Sequence, residues 1–184
     1  MRLLARSGRS VAPWRNGGGQ TSEIAVAPAA SANREFDWRL SIARIDRDGD
    51  FSAYPGVDRL LMPLSEGGLE LLVDGVRRSI PRFDVIRFPG EADVSAAGVT
   101  APSLDLNVMV NREFGTASLA CQVVERVHLV GGRSGEVTAI IALDGDLRVS
   151  GERLEREDAV LSDEAETIEV TGAGRIAIAR VRPA

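Results

Sequence analysis

Apolar residues in this chain come in short runs rich in Val, Ile and Leu, each closed by Gly, Pro, Asp or Asn. That is the pattern of strands joined by tight turns, and it predicts an all-β sandwich or barrel. Strands are expected over Thr21 to Val26, Phe36 to Ile45, Leu69 to Val73, Asp84 to Phe88, Leu104 to Val110, Ala117 to Val124, Val137 to Leu143 and Arg175 to Val181. Turn dipeptides punctuate them, among them Asp48-Gly49, Pro55-Gly56, Asp74-Gly75, Pro89-Gly90 and Asp144-Gly145. No long stretch has helical periodicity, so at most short helical turns are expected, near Pro28 to Arg34 or Tyr54 to Leu60.

Two of the strands alternate cleanly. In the first, Phe36, Trp38, Leu40 and Ile42 share one face and Asp37, Arg39 and Ser41 the other. Arg39 on that face is either an exposed surface arginine, the commoner fate, or, pointing into a barrel, needs a carboxylate, because a buried unpaired guanidinium is costly. Glu23 or a ligand could supply it. In the second, Asp105, Asn107 and Met109 stand opposite Leu106, Val108 and Val110. A mixed polar face of this kind either lines a ligand-holding barrel or meets water, and periodicity alone favours water.

A weak repeat runs through the chain. Leu64 to Ile86 and Leu143 to Val160 each contain a glycine turn, a strand, a second glycine turn and a short strand. An aspartate turn then leads into another strand, and the spacing from Ile80 to Asp84 equals that from Leu154 to Asp158. Repetition of a β unit implies two related halves. They are expected at residues 1–130 and 131–184, joined near Gly131 to Gly135, with strands open to exchange between them. The acidic stretch Glu152 to Glu169 reads as a solvated outer face.

Composition narrows the function. The net charge of −5 and a pI near 5.0 disfavour nucleic acid and anionic membrane as partners. All 22 basic residues are arginine, which excludes a lysine Schiff base. The single cysteine, Cys121, excludes an intrachain disulfide and fits a reducing compartment. The first apolar run is too short for a signal-peptide core, and no window approaches a membrane helix, so a cytoplasmic location is expected. A histidine-based metal site needs two or three histidines with a carboxylate, and this chain has only His128. No metal or other cofactor is therefore expected, and no catalytic set is singled out by spacing.

The most unusual segment is Trp14-Arg-Asn-Gly-Gly-Gly-Gln-Thr-Ser-Glu-Ile24. Consecutive glycines are costly to order, and suit backbone that must take positive φ or pass close to something. Their N–H groups could form an anion-binding concavity, or the segment could simply be a turn before a strand.

This segment, with Phe36-Asp-Trp-Arg-Leu-Ser-Ile-Ala43, Asp48-Gly-Asp-Phe-Ser-Ala-Tyr-Pro-Gly-Val-Asp-Arg59, Phe88-Pro-Gly90 and Asp105-Leu-Asn-Val-Met109, resembles the HutD/Ves family. The matching motifs stand in order across residues 10–112. The resemblance implies a bicupin, two β-barrel or jelly-roll halves packed together, without a conserved metal set. Asp84 to Gly90 looks like a cupin motif that has lost its histidine. The family is associated with histidine utilisation, which implies binding of a small anionic metabolite such as formylglutamate or urocanate in a sensing or regulatory role. The alternative is a metal-free isomerase or lyase using Glu23 as general base. The resemblance is also compatible with a homodimer. Carried onto this chain, it makes Trp14, Asn16, Gly18, Thr21, Glu23, Arg39, Ser41, Arg59, Asn107 and Met109 the expected ligand-binding residues. Arg39 or Arg59 would pair with a ligand carboxylate, and Tyr54 with Pro55-Gly56 would form a lid.

Overall fold

The computed structural model describes residues 1–14, 16–29 and 34–184. The chain is all-β, with one 3-10 turn among the described residues, and divides into two compact units. Strand β1 (Arg2–Leu4) and the turn (Arg6–Gly8) open it. There follow β2 (Val11–Pro13), β3 (Gly19–Pro28), β4 (Phe36–Ile45), β5 (Gly49–Asp50), β6 (Val57–Pro63), β7 (Leu69–Val73), β8 (Val76–Ile80), β9 (Ile86–Pro89), β10 (Val94–Ala96) and β11 (Ser103–Asn111). The C-terminal part contains β12 (Gly115–Val124), β13 (Val127–Gly131), β14 (Val137–Val149), β15 (Glu152–Leu154), β16 (Ala159–Ser162) and β17 (Thr167–Pro183).

The unit Ser10–Thr116 holds two sheets. One is six-stranded, in the order β2-β3-β4-β11-β6-β9, and the other four-stranded, β5-β10-β7-β8. Ile45, Leu61 and Phe88 of the first sheet pack with Leu69, Leu71, Ile80, Val94 and Ala96 of the second. Each comes from an alternating or β-branched run that presents one apolar face to the facing sheet. The opposite face of the larger sheet is buried as well: Trp38, Leu40 and Ile42 on β4, and Leu106, Val108 and Val110 on β11. Phe36 departs from the face it was expected to share with Trp38, and packs with Val57 and Met109.

The other unit comprises Met1–Arg9 and Ala117–Ala184. Its sheet runs β1-β16-β14-β17-β12, with β13 also on β17 and β15 on β14. The N-terminal strand pairs far along the sequence, Arg2 opposite Leu161. Ile140, Leu147, Val170 and Ile176 form the heart of a separate apolar core. Gly131 to Gly135, expected to join two halves, connects β13 to β14 inside this unit, and the division falls at Ala117. The acidic stretch is only partly a solvated face. Glu157 and Asp158 are buried. Asp158 accepts the backbone N–H of Arg6 (2.7 Å) and of Glu155 (2.9 Å), and Glu157 pairs with Arg6 (3.1 Å).

Of the expected helical turns, Tyr54 to Leu60 is a tight turn running directly into β6. The other falls largely on residues 30–33, outside the described residues. No helix among the described residues is long and apolar enough to cross a membrane.

Candidate functional site

Register builds the site. β4, β11 and β6 are hydrogen-bonded neighbours, and Met109 lies opposite Arg39 on one side and Arg59 on the other. The next row is Ser41, Asn107 and Leu61, and the next Ala43, Asp105 and Pro63. With a strand spacing of about 4.8 Å, the two arginines stand roughly 10 Å apart across one row. β3 adds Glu23 opposite Ser41 and Thr21 opposite Ala43, with a bulge between Glu23 and Ala25. This polar end of the sheet's inner face opens onto a cavity of about 520 Å³. Trp14, Asn16, Thr21, Arg39, Ser41, Arg59, Asn107 and Met109 line it, together with Glu35, Asp50, Phe51, Ser52 and Tyr54.

Arg59 is the more enclosed of the two arginines. Its guanidinium carbon lies 5.2 Å from the centre of the Phe51 ring, 5.8 Å from Tyr54 and 5.1 Å from Phe88. Three electron-rich faces partly replace the water it has lost. Nη1 donates to the Ser52 carbonyl (3.3 Å) and Nη2 to Asn107 Oδ1 (3.1 Å), while Nε is buried without a partner. Burial lowers its pKa, with Asp105 acting in the opposite direction. Arg39 is less enclosed, and its Nε donates to Glu23 Oε2 (3.1 Å). Its two Nη groups have no hydrogen-bond partner among the described residues.

Under Arg59, Asn107 turns its Nδ2 to Asp105 Oδ1. Asp105 is fully buried and its Oδ2 has no hydrogen-bond partner. Burial pushes this carboxyl up to about 7, against the opposing pull of Arg59 and Asn107.

The glycine segment has a different role from an anion cradle. It is the turn between β2 and β3. Gly17 takes a φ of 67° and donates to the Trp14 carbonyl (3.0 Å), while the Gly18 N–H donates to Asn16 Oδ1 (2.9 Å). A Cβ on Gly19 would lie 2.2 Å from the Arg44 carbonyl oxygen, so only glycine lets β3 pair this closely with β4 there. Gly18 therefore closes a turn and does not line the cavity. Asn16 lines it, but its amide holds Gly18 and the Asp50 carbonyl (3.3 Å). Trp14 Nε1 donates to Thr21 Oγ1 (2.8 Å), which leaves the Thr21 hydroxyl free to donate. Glu23 flanks Arg39 and is absent from the lining. Tyr54 is no free lid: its N–H donates to the Gly90 carbonyl (2.7 Å), and the Gly90 N–H to Val57 (2.6 Å). A side chain on Gly90 would strike the Tyr54 carbonyl at 2.3 Å, which explains the glycine of the Phe88-Pro-Gly90 motif.

Among the described residues, no three His, Cys, Asp or Glu side chains are grouped to hold a metal ion. His128 lies on β13, in the other unit.

The sequence model of the HutD family matches residues 7–179. The chain belongs to the HutD family. It is similar to the protein Ves of Citrobacter koseri, 38% identical over 133 residues. That match covers 70% of this chain and 66% of the Citrobacter protein, just under two thirds of the relative's length. An uncharacterised 21.2 kDa protein in the hutC 3′ region of Pseudomonas putida is 37% identical over 155 residues, covering 76% of this chain and 81% of that one. Among solved structures, HutD from Pseudomonas fluorescens SBW25 superposes with a TM-score of 0.86 at 29% identity, over 100% of this chain and 98% of that chain. The fold of this HutD-family chain is thus cupin-like and all-β.

Sequence reasoning missed Asp105 as part of the site, and with it Phe51 and Phe88. Asp105 had a signal: it precedes Asn107 by two residues on the same face of a strand whose other face is wholly apolar. Phe51 and Phe88 stand in two of the matching motifs, but nothing local tied either to Arg59, because they reach it from separate elements.

Proposed function

We propose that this chain binds a small carboxylate metabolite in the cavity of the Ser10–Thr116 unit, without a metal, and serves a sensing or regulatory role in the cytoplasm. One observation carries the reading: Arg39 and Arg59 flank Met109 in a single row facing a sheltered cavity. Planar guanidinium forks match carboxylates, and a mixed wall of aromatic and hydrogen-bonding side chains suits a small organic acid. Arg39 supplies the more accessible fork, Arg59 the desolvated charge, and Ser41 and Thr21 the directional hydroxyls.

Acids of histidine degradation, formylglutamate and urocanate, are the first candidates. This choice is supported by family membership and by a relative named for its place in the hutC 3′ region. The two compact all-β units also support a bicupin arrangement. Catalysis by Glu23 as a general base draws less support, because its carboxylate is engaged by Arg39.

A thermal-shift panel of these acids tests the reading. Saturable stabilisation without turnover is the expected result, and Arg39→Ala should abolish it while leaving the unliganded melting temperature close to wild type. Unchanged stabilisation in the variant would remove Arg39 from the site.

A further inference from the structure

The binding role leaves one buried group unused. Asp105 sits on β11 between Ala43 of β4 and Pro63 of β6, neither of which offers it a polar side chain. Its contact with charge is a relay: Asp105 Oδ1 to Asn107 Nδ2, then Asn107 Oδ1 to Arg59 Nη2 (3.1 Å). The other charged or titratable groups around the cavity are Arg39 of β4, its partner Glu23 of β3, and Asp50, Glu35 and Tyr54 on the wall. Among the described residues, Arg59 has no carboxylate of its own in direct contact. With the cavity empty, an ionised Asp105 balances Arg59 through Asn107. A ligand carboxylate on Arg59 would supply the same balance from the other side. Two anions sharing one cation in a sheltered site repel each other, and the one with access to a proton gives way.

We propose that the site takes its carboxylate together with a proton, which Asp105 holds and which sets, through Asn107, how much of the Arg59 charge the ligand meets. This rests on the binding role argued above. The proton comes from solvent, resides on a carboxyl oxygen of Asp105 while the anion is bound, and returns to solvent when the anion leaves. Asp105 is a positioning residue, since it touches Asn107 and not the cavity. Burial already places its titration near neutrality, and a bound anion raises it further. Affinity is therefore constant on the acid side. It falls as pH rises past about 7, by up to about tenfold per pH unit, until the ligand-bound form also loses its proton.

The test is calorimetric titration of the full chain with formylglutamate, whose carboxylates stay ionised throughout, at pH 6.0, 7.0 and 8.5. Two buffers of different ionisation heat are used at each pH. The expected result is binding about tenfold weaker at pH 8.5 than at pH 6.0, with net proton uptake at the higher pH values. Asp105→Asn, close in shape, should bind with an affinity that no longer changes with pH. Wild-type affinity that is flat across the range overturns the proposal, as does full pH dependence retained in Asp105→Asn. In either case, pH 6.0 binding that Arg39→Ala removes leaves the binding role standing. Absence of binding at every pH overturns both. Carboxyl carbon NMR of Asp105 in the wild-type chain needs no variant: its titration should move to higher pH with ligand, and an unmoved titration refutes the linkage.

Discussion

Two buried carboxylates, one in each unit, meet arginines in opposite ways. Glu136 is 2% exposed, and both its oxygens are used: Oε1 accepts from Arg180 (2.7 Å) and Oε2 from Arg182 (2.6 Å). Burial raises its pKa, but the two guanidinium groups outweigh burial and hold it below the ordinary value. Asp105 is 0% exposed, has one oxygen unpartnered, and reaches its arginine only through an amide. There burial wins. The difference lies in the cover. Glu136 is roofed by arginine side chains that are themselves partly exposed, whereas Asp105 lies between Ala43 and Pro63 beneath a cavity. A carboxylate gripped by two cations is a structural clamp, while one held away from its cation keeps a proton it can exchange.

The largest expected effect is at the clamp. Glu136→Ala takes the shared carboxylate from Arg182 and from Arg180, which keeps only the Gly131 carbonyl and the Thr138 hydroxyl, and should destabilise the protein by about 3 kcal/mol at pH 7. That is the low end for a broken buried pair, because both cations can hydrate. Urea unfolding measures it. A loss under about 1 kcal/mol would place Glu136 with ordinary surface pairs and dissolve the contrast. Its pH signature follows from the depressed pKa: the contribution is present above the unfolded value of 4.5 and is lost as pH falls below it, through the folded value.

Asp105 should behave in reverse. Its folded pKa lies above the unfolded value of 3.8, so the folded state keeps a proton that the unfolded chain releases. Its contribution is whole below pH 3.8, declines as pH rises to about 7, and is level beyond. Asp105→Asn removes that decline and should be more stable than wild type at pH 8 by about 2 kcal/mol, with a smaller gain at pH 5. Chemical denaturation at the two pH values checks it. Equal effects at both would mean that Asp105 ionises normally in the folded chain.

How much of this was legible varies with sequence distance. β4 and β7 stand where alternation and turn residues put them, because strand periodicity and glycine punctuation are local signals. Arg39, Arg59, Asn107 and Met109 line one cavity; motif resemblance named all four, whereas face-sharing said nothing of Arg59 and left the others between cavity and solvent. Glycine chemistry alone left two readings open: Gly18 and Asn16 satisfy each other in a turn, which a run of glycines cannot distinguish from an anion cradle. The pairing of β1 with β16 was not legible either, since no periodicity tells a three-residue strand which distant edge will hold it. Asp105 was visible only as half of an ambiguity, polar face or wet face. That ambiguity is settled by the packing of other strands on both sides of β11.

Between the two extremes stands Glu23, which holds Arg39 by a single bond at 3.1 Å with both side chains partly exposed. Solvent screens such a pair, so Glu23→Gln should change stability by less than about 1 kcal/mol. Its influence should fall on the ligand. Glu23 competes with any incoming carboxylate for the Arg39 fork, and removing its charge should tighten formylglutamate binding by about threefold, a change of well under 1 kcal/mol. Because Arg39 and Glu23 are half in water, that gain should shrink in high salt, whereas the pH dependence assigned to the buried Asp105 should persist there. A Glu23→Gln gain that survives 1 M salt would mean that Arg39 is as enclosed as Arg59, and the cavity would then hold two desolvated cations instead of one.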